Sequence, residues 1–263
     1  MTISFGVEER LLRLLDAAFA RLPQPRPDAS RLKAAKIVAH RGVHDNRGVM
    51  ENTMAAFDRA AAIGIWGVEL DVRWTRDGQA VVCHDHDLMR VFGVPAAIHA
   101  LGFDQLRERC PLVPTLEEVV ARIGGRVHLM IELKPIPSPP ETYPYDRLAE
   151  ILRSLRSAWD YHLMALAPHL LAGVDWAPGA CLPIARLQPL KLSRLALDLG
   201  YAGVCGHYAL MSNRQIDRHR RFGQRLGTGF IASKACLYRE VNRGVTWLFS
   251  NHAEAIQNIC FRV

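Results

Sequence analysis

The fold is decided by a succession of strand, helix and strand that runs Lys36-Ile37-Val38-Ala39-His40, then a helical pattern over residues 52–64, then Gly67-Val68-Glu69-Leu70-Asp71-Val72. Strands that alternate with helices over this length are typical of a parallel sheet, and eight such units close into a barrel. The sequence therefore predicts an α/β protein with the fold of a TIM (β/α)8 barrel. Further strands are predicted at residues 79–84, 127–133, 161–166, 182–185, 202–206, 226–231 and 246–249, and further helices at 115–123, 143–157, 189–199, 212–222, 234–243 and 251–259.

The nine predicted strands are one more than this barrel requires. Asp77-Gly78 is a hairpin turn signal, and no helical pattern separates the strands on its two sides. We therefore predict that strand 79–84 pairs with strand 67–72 in a hairpin and is not a barrel strand. Asp71 and His84 are both 6.5 positions from the centre of this turn, so we expect them to lie opposite each other.

An amphipathic helix is predicted over residues 7–22, where apolar side chains recur at helical spacing. The following sequence, Pro23-Gln24-Pro25-Arg26-Pro27, cannot continue a helix. We therefore expect an N-terminal helix and proline-rich linker over residues 1–35 and a barrel domain over residues 36–263. The helix packs on the outside of the barrel, or it contacts a membrane surface or a second copy of the chain.

The composition is that of an ordinary globular protein: 49% of the 263 residues are apolar and 22% are charged, which excludes disorder as the default. The net charge of +7 favours an anionic partner. This partner could be a phosphate ester, a membrane surface or a nucleic acid. Because the basic residues are spread along the chain, we do not expect a nucleic acid, and we favour membrane contact less than a small phosphate ester. The oligomeric state has no signature in the sequence.

The cysteines and the apolar runs indicate the cellular compartment of the protein. The six cysteines contain no Cys-x-x-Cys pair, and several lie in apolar runs, so we expect buried free thiols in a reducing compartment. No secretory signal pattern is present, and the longest apolar run, residues 60–68, covers about half of a membrane span. We therefore expect a cytoplasmic protein.

Two acidic residues, Glu69 and Asp71, lie two positions apart on a predicted strand and therefore share one face. Neighbouring carboxylates repel each other unless a cation lies between them or one is protonated. Oxygen ligands favour Mg²⁺, Ca²⁺ or Mn²⁺ over zinc. Salt bridges from Glu69 and Asp71 to Arg73 or Arg76 would account for the two acidic residues equally well.

Glu132 and Lys134 also share a face, at the end of the apolar strand 127–133. Strand carboxyl ends converge on the functional rim of a barrel. Glu132 is therefore a candidate third carboxylate and Lys134 a candidate phosphate ligand. A salt bridge between the two at the rim is the structural alternative.

Two histidines end predicted strands beside charged residues: His40 precedes Arg41, and His84 precedes Asp85. This placement favours acid–base chemistry over a purely structural role. The charges also balance, because three carboxylates, a divalent cation, Lys134 and Arg41 carry a net charge of +1, which one phosphodiester neutralises.

The order of these motifs resembles that of the glycerophosphodiester phosphodiesterase family. The resemblance spans residues 36 to 135 and implies a TIM barrel, a divalent cation (Mg²⁺ or Ca²⁺) and cleavage of a phosphodiester. It rests on His40-Arg41-Gly42, Glu51-Asn52-Thr53, Glu69-Leu70-Asp71-Val72, Thr75-Arg76-Asp77-Gly78, Val81-Val82-Cys83-His84-Asp85, Leu88, Arg90, Val113-Pro114-Thr115-Leu116-Glu117-Glu118-Val119 and Glu132-Leu133-Lys134.

The resemblance also implies a reaction, the hydrolysis of a glycerophosphodiester to glycerol 3-phosphate and an alcohol. Of the two histidines, we favour His40 as the acid and His84 as the base. The nucleophile is a glycerol hydroxyl or water. The roles implied are cation ligands for Glu69, Asp71 and Glu132, an acid–base pair for His40 and His84, phosphate ligands for Arg41 and Lys134, and positions near the cation for Glu51 and Asn52.

The second half of the chain departs from the family pattern at residues 227–231 and 249–252, so the alcohol group of the substrate stays open. Three alternatives follow. The chain is a related lipid phosphodiesterase, of a phospholipase D-like or phosphoinositide-cleaving kind. Or His84-Asp85-His86-Asp87 forms a zinc site. Or the barrel binds phosphoesters without catalysis.

Overall fold

The computed structural model describes residues 15–137 and 143–261. The strands are β1 (Lys36–His40), β2 (Gly67–Trp74), β3 (Ala80–Val82), β4 (Asp87–Leu88), β5 (Val94–Ala97), β6 (His128–Leu133), β7 (Tyr161–Ala165), β8 (Cys181–Ala185), β9 (Gly203–His207), β10 (Arg225–Gly229) and β11 (Trp247–Ser250). The helices are α1 (residues 15–21 of it), α2 (Ala29–Lys33), α3 (Met54–Ala62), α4 (Met89–Phe92), α5 (Phe103–Arg109), α6 (Leu116–Ile123), α7 (Tyr145–Leu152), α8 (His169–Ala172), α9 (Pro189–Asp198), α10 (Asn213–Arg221), α11 (Lys234–Arg243) and α12 (Ala253–Phe261).

Eight parallel strands form a closed sheet. Around the ring the order is β1, β2, β6, β7, β8, β9, β10 and β11, and β11 pairs with β1 to close it. The strands and the helices between them form a TIM barrel, so the predicted fold class is confirmed. Helix starts follow local capping rules: the hydroxyls of Thr53 and Thr115 accept hydrogen bonds from the first turns of α3 and α6.

Side chains alternate between the inside and the outside of the barrel. On β2, the side chains of Val68, Leu70 and Val72 face the surrounding helices and belong to the main hydrophobic core. Glu69 and Asp71 therefore share one face of the strand, as predicted, and this face is directed into the barrel interior. Below them, a separate apolar cluster fills the interior; it contains Val38, Met130, Met164, Leu182, Cys205, Trp247 and Phe249.

The predicted hairpin is present, but its register differs by one residue from the predicted one. β3 runs antiparallel to the end of β2, with Val72 opposite Val82, and the amide of Cys83 donates to the carbonyl of Asp71 at 2.9 Å. Cys83, not His84, therefore lies opposite Asp71. The reason is the length of the turn: Thr75 and Gln79 close it, so that three residues with Gly78 at φ +79° lie between them.

Between β3 and α6 the chain forms elements that the sequence did not predict. These are the two-stranded antiparallel sheet of β4 and β5 and the helices α4 and α5. They enclose a second small core that contains Leu88, Ile98 and Leu106. The segment lies beside the carboxyl end of the barrel and supplies Arg90 to the site described below.

The described part of α1 packs at the carboxyl end of β9. Phe19 meets the ring of Tyr208 edge-on at 5.4 Å, and Asp16 accepts a hydrogen bond from the Tyr208 hydroxyl. Residues 23–28 are not helical, as the prolines predict. The remainder of the predicted helix lies outside the described residues. The division into a segment 1–35 and a barrel domain 36–263 stays a prediction.

All six cysteines are buried and unpaired, as expected. Among the described helices, none has the length and apolar character needed to cross a bilayer.

Candidate active site

Three carboxylates meet inside the carboxyl end of the barrel. Glu69 and Asp71 come from β2 and Glu132 from β6, where it lies beside Asp71 in the strand register. All three are buried, and one oxygen of each lies within 4.8 Å of the others. The strand alternation and the β2–β6 pairing thus bring together the three residues that were predicted as cation ligands.

The carboxylates carry more negative charge than their surroundings neutralise. Burial, together with Asp71 and Glu132, raises the pKa of Glu69 well above its ordinary value. Burial also raises the pKa of Glu132. Burial acts to raise the pKa of Asp71 too, but Lys134 and Arg41 hold it below its ordinary value. The site is therefore one in which an additional cation would be bound favourably.

The two predicted phosphate ligands lie against these carboxylates. Lys134 Nζ is 2.6 Å from Glu132 Oε1 and 2.8 Å from Asp71 Oδ1. Arg41 Nε lies 3.5 Å from Asp71 Oδ2. This nitrogen is buried, but it makes no hydrogen bond. The rim salt bridge anticipated for Lys134 and Glu132 thus exists, but it is one part of a larger ionic cluster.

The backbone at Arg41 is left-handed, with φ of +59°. In this conformation its amide donates to Glu69 Oε2 at 3.0 Å. The following residue, Gly42, has φ of +81°, and a Cβ there would lie 2.8 Å from that of Ala56. The turn after β1 therefore requires the glycine, and it directs both the amide and the guanidinium of Arg41 toward the carboxylates.

Glu51 is a further carboxylate that holds the guanidinium of Arg41. Its oxygens accept hydrogen bonds from Arg41 at 2.7 Å, from Arg90 at 2.6 and 3.1 Å, and from Asn46 at 2.7 Å. Burial would raise the pKa of Glu51, but the hydrogen bonds from Arg90 and the charge of Arg41 lower it to about 2. Glu51 is therefore ionised and fixes two guanidinium groups.

Asn52 bonds directly to a carboxylate of the site. Its backbone is also left-handed, with φ of +56°, and its amide nitrogen donates to Asp71 Oδ2 at 2.7 Å. Glu51 thus acts on the cluster through Arg41, whereas Asn52 bonds to Asp71 directly. The places of Glu51 and Asn52 near a cation stay a prediction.

Both predicted histidines line the cavity that the carboxylates face. His40 Nδ1 is 2.6 Å from the side-chain oxygen of Asn251, and its Nε2 is 3.7 Å from Glu69 Oε2. Burial, followed by the charge of Arg41, lowers the pKa of His40 to about 3. The contact with Asn251 fixes the ring and leaves Nε2 directed at the carboxylates.

His84 has a carboxylate partner of its own. Its Nδ1 is 2.8 Å from Asp85 Oδ1, and Asp85 Oδ2 in turn accepts from Arg90 Nε at 2.5 Å. The carboxylate orients the imidazole and favours the tautomer with the proton on Nδ1, which leaves Nε2 as a proton acceptor. Arg90 therefore links the His84 side of the cavity to the Glu51 and Arg41 side.

Sequence reasoning assigned no role to Arg90, Asp85 or Asn251. Asp85 and Arg90 belong to the motifs that carry the family resemblance. Their spacing of five residues was the signal that could have indicated a contact between them. Asn251 lies in the C-terminal stretch where the chain departs from the family pattern. It reaches His40 because β11 closes the ring against β1.

The zinc alternative is not supported by the geometry. Across residues 15–137 and 143–261, Glu69, Asp71 and Glu132 form the only group of three or more His, Cys, Asp or Glu side chains placed to share a metal ion. The side chain of His86 is 66% exposed and lies 3.1 Å from Asp87.

The cavity has a volume of about 280 Å³. One half is formed by the polar residues described above, from β1, β2 and β6. The other half comes from the ends of β7 to β11 and the loops that follow them. Its lining residues there are Met164, Leu166, Ile184, Ala185, Arg186, Cys205, Gly206, His207, Leu210, Gly229, Phe230 and Phe249.

Comparison with known proteins gives consistent results. The model of the glycerophosphoryl diester phosphodiesterase family matches residues 40–199. A glycerophosphodiester phosphodiesterase of Caldanaerobacter subterraneus is 25% identical over 248 residues, which cover 85% of this chain and 96% of that protein. One of Bacillus altitudinis is 34% identical over 110 residues, covering 38% of this chain and 44% of that protein.

Solved structures agree on the fold. A phosphodiesterase of Oleispira antarctica, in complex with the product sn-glycerol-3-phosphate, superposes with a TM-score of 0.73 at 22% identity, over 88% of this chain and 98% of that one. A Galdieria sulphuraria protein described as a putative glycerophosphodiester phosphodiesterase gives a TM-score of 0.74 at 20% identity, over 86% and 97% of the two chains.

The barrel, its acidic cavity and the family match define the class: an enzyme of the phosphoric diester hydrolase type built on a TIM barrel. More narrowly, the chain belongs to the glycerophosphoryl diester phosphodiesterase family. The resemblance seen in the sequence is thereby confirmed, and the non-catalytic alternative is set aside.

Proposed function

We propose that this enzyme hydrolyses a glycerophosphodiester to glycerol 3-phosphate and an alcohol, with a divalent cation, Mg²⁺ or Ca²⁺, and the two histidines His40 and His84. The observation that carries the proposal is a cluster of three buried carboxylates, two basic side chains and two imidazoles at one cavity. All of these except Asp71 line the cavity. The relative from Caldanaerobacter and the product bound by the Oleispira protein support the substrate class.

Glu69, Asp71 and Glu132 would hold the cation. The donor set fits, since all three are carboxylate oxygens, which hard divalent cations prefer. The raised pKa values of Glu69 and Glu132 point to negative charge that Lys134 and Arg41 leave uncompensated. When bound, such a cation supplies charge neutralisation at a phosphate oxygen and acidifies a neighbouring hydroxyl.

Arg41 and Lys134 bind the phosphate in this proposal. Both line the cavity, and both are held by carboxylates whose positions are fixed by strand pairing. The planar guanidinium suits two phosphate oxygens, and the ammonium adds a point charge. Glu51 and Arg90 keep the guanidinium of Arg41 in place while the substrate binds.

His84 acts as the base and His40 as the acid. Asp85 holds the proton on Nδ1 of His84, so Nε2 is free to remove a proton from the nucleophile, which is either the glycerol 2-hydroxyl or water. His40 then protonates the oxygen of the departing alcohol from Nε2. Because Nδ1 donates to the Asn251 oxygen, this step requires the imidazolium form of His40, which the negative charge of the bound phosphodiester favours. Asn251 and Asp85 position the two rings and do not themselves exchange protons with the substrate.

The test is turnover of glycerophosphocholine by the purified protein, followed by release of choline and glycerol 3-phosphate. We expect activity with added Mg²⁺ or Ca²⁺ and none in excess EDTA. Glu132→Gln should abolish activity and weaken cation binding measured by calorimetry, whereas Glu108→Gln, an exposed position, should change neither. Equal turnover with and without EDTA would contradict the cation, and no turnover in any condition would contradict the function.

The cytoplasmic location is also a proposal. It is supported by the six buried, unpaired thiols, which fit a reducing compartment.

A further inference from the structure

The cavity is divided into two chemically different halves. The half formed by β1, β2 and β6 holds the ionic cluster. The opposite half is formed by the ends of β7 to β11 and their loops, and it presents a nearly continuous apolar wall. The apolar residues of this wall are Met164, Leu166, Ile184, Ala185, Cys205, Leu210, Phe230 and Phe249.

The polar side chains on this wall are His207 and Arg186. The ring nitrogens of His207 face other parts of the protein: Nδ1 accepts from the amide of Ala209 at 3.3 Å, and Nε2 lies 3.4 Å from Asp16. A hydroxyl-rich substrate group placed against this wall would leave many of its hydrogen bonds unmade. The wall is therefore poorly suited to a small polar alcohol.

The apolar surface continues outward past the mouth of the cavity. Leu166 and Phe230, which line it, remain 43% and 40% exposed. Two further exposed leucines follow β8 in the chain: Leu187 in the loop and Leu190 in the first turn of α9. Apolar side chains grouped at the rim of a catalytic cavity mark a surface that an apolar ligand covers.

We propose that this wall is a subsite for a hydrocarbon substituent of the diester, so that the preferred substrates are amphiphilic glycerophosphodiesters carrying one apolar chain. The inference rests on the proposed function, because the wall faces the same phosphate site. The bonds exchanged are unchanged: the nucleophile's oxygen bonds to phosphorus, the P–O bond to the alcohol breaks, and the alcohol oxygen takes the proton. The cavity holds the first part of the chain, and the rim leucines cover the next.

The test is a homologous series of water-soluble diesters. One arm places acyl chains of increasing length on the glycerol of glycerophosphocholine, and the other places alkyl chains on the alcohol side of glycerophosphate. Each buried methylene contributes roughly 0.8 kcal/mol, which corresponds to about a fourfold gain in kcat/KM. We expect such a gain per methylene in one arm, up to the length at which the cavity is filled. The responding arm identifies which side of the phosphate faces the wall.

Leu166→Gln should reduce the gain along the series several-fold. The matched control is Leu199→Gln, since Leu199 is similarly exposed but lies outside the cavity, and this variant should keep the full gain. If glycerophosphocholine is hydrolysed and kcat/KM is flat in both arms, the subsite is wrong while the proposed function stands. If chain length raises kcat/KM equally in both variants, the wall is not the binding surface. If no diester is hydrolysed with added cation, the proposed function itself fails.

Discussion

Single side chains in this site are fixed by partners that are either distant or adjacent in the sequence. Asn251 fixes His40 across the β1–β11 seam, and Asp85 fixes His84 from the adjacent position. Sequence reasoning could identify both histidines, because each ends a strand beside a charged residue. It could not identify Asn251, since nothing local indicates that residue 251 returns to residue 40.

Removing either imidazole tests the proton transfers. We expect His40→Ala and His84→Ala each to lower kcat at least about 10²-fold, the range of general acid–base catalysis, with circular dichroism unchanged. The matched control is His86→Ala, because the imidazole of His86 is largely exposed, and this variant should keep full activity. Wild-type turnover in the His40 or His84 variant would remove that residue from the mechanism.

Glu51 offers a test of positioning. Glu51→Gln keeps the shape of the side chain but loses the charge that holds Arg41 and Arg90. A charge-assisted hydrogen bond contributes roughly 1.5–3 kcal/mol, so we expect KM to rise about tenfold or more with a smaller change in kcat. Glu254→Gln removes an exposed ion pair with Arg59 and serves as the control, which should leave KM unchanged. A loss confined to kcat would argue against a role in substrate binding.

At the scale of elements, hydrophobic patterning predicted all eight barrel strands and the hairpin partner, since each is a distinct apolar run bounded by polar residues. It missed the short helices α2, α4, α5 and α8, the β4–β5 sheet and the register of the hairpin. The β4–β5 sheet was missed because its strands have only two and four residues. The hairpin register was wrong by one residue because Asp77-Gly78 indicates a turn without fixing its length, and a one-residue change moves every cross-strand pair.

Helix α1 gives a prediction at this scale. Asp16 joins the helix to Tyr208 and lies close to His207 at the cavity wall. Asp16→Asn weakens these contacts, so we expect trypsin to cleave after Arg21 several-fold faster while the barrel stays intact. Asp217→Asn, which removes an exposed pair within α10, is the control and should not alter the cleavage rate. Unchanged cleavage in Asp16→Asn would show that other contacts hold the helix.

For the molecule as a whole, the proposed cation would stabilise the fold, because the buried acidic cluster destabilises the fold when no cation is bound. Because burial raises the pKa of Glu69, its ionised form opposes folding at neutral pH. We expect Glu69→Gln to raise the Tm of the EDTA-treated protein and to abolish the Tm increase that Mg²⁺ or Ca²⁺ causes in the wild type. That increase corresponds to about 2.7 kcal/mol at a cation concentration of 100 Kd. A Tm of Glu69→Gln below that of the EDTA-treated wild type would contradict this account.

A second pair of histidines makes global stability depend on pH. His128 and His162 lie at the amino end of the barrel with their ring nitrogens 2.7 Å apart. Burial lowers their pKa values to about 4 and about 3, below about 6.5 for the unfolded chain. The unfolded state therefore binds protons first, and stability is complete above pH 6.5 and falls as the pH drops toward 4.

We expect each of these histidines to cost about 2 kcal/mol by pH 5, which should lower Tm by several degrees. His162→Gln should flatten the dependence of Tm on pH between 5 and 7, and His86→Gln, at an exposed position, should not. Equal slopes in the two variants would show that the buried pair does not control acid stability.

The pairing of β1 with β11 also has a consequence for biosynthesis. The ring cannot close until residue 250 has left the ribosome, and until then β1 and β10 present unsatisfied backbone edges. A nascent chain that lacks β11 has an open sheet. It also lacks Asn251, which orients the imidazole of His40 in the folded protein. Catalytic competence is therefore expected only after β11 and Asn251 have been synthesised, and a chain terminated before them is expected to be inactive and prone to aggregation.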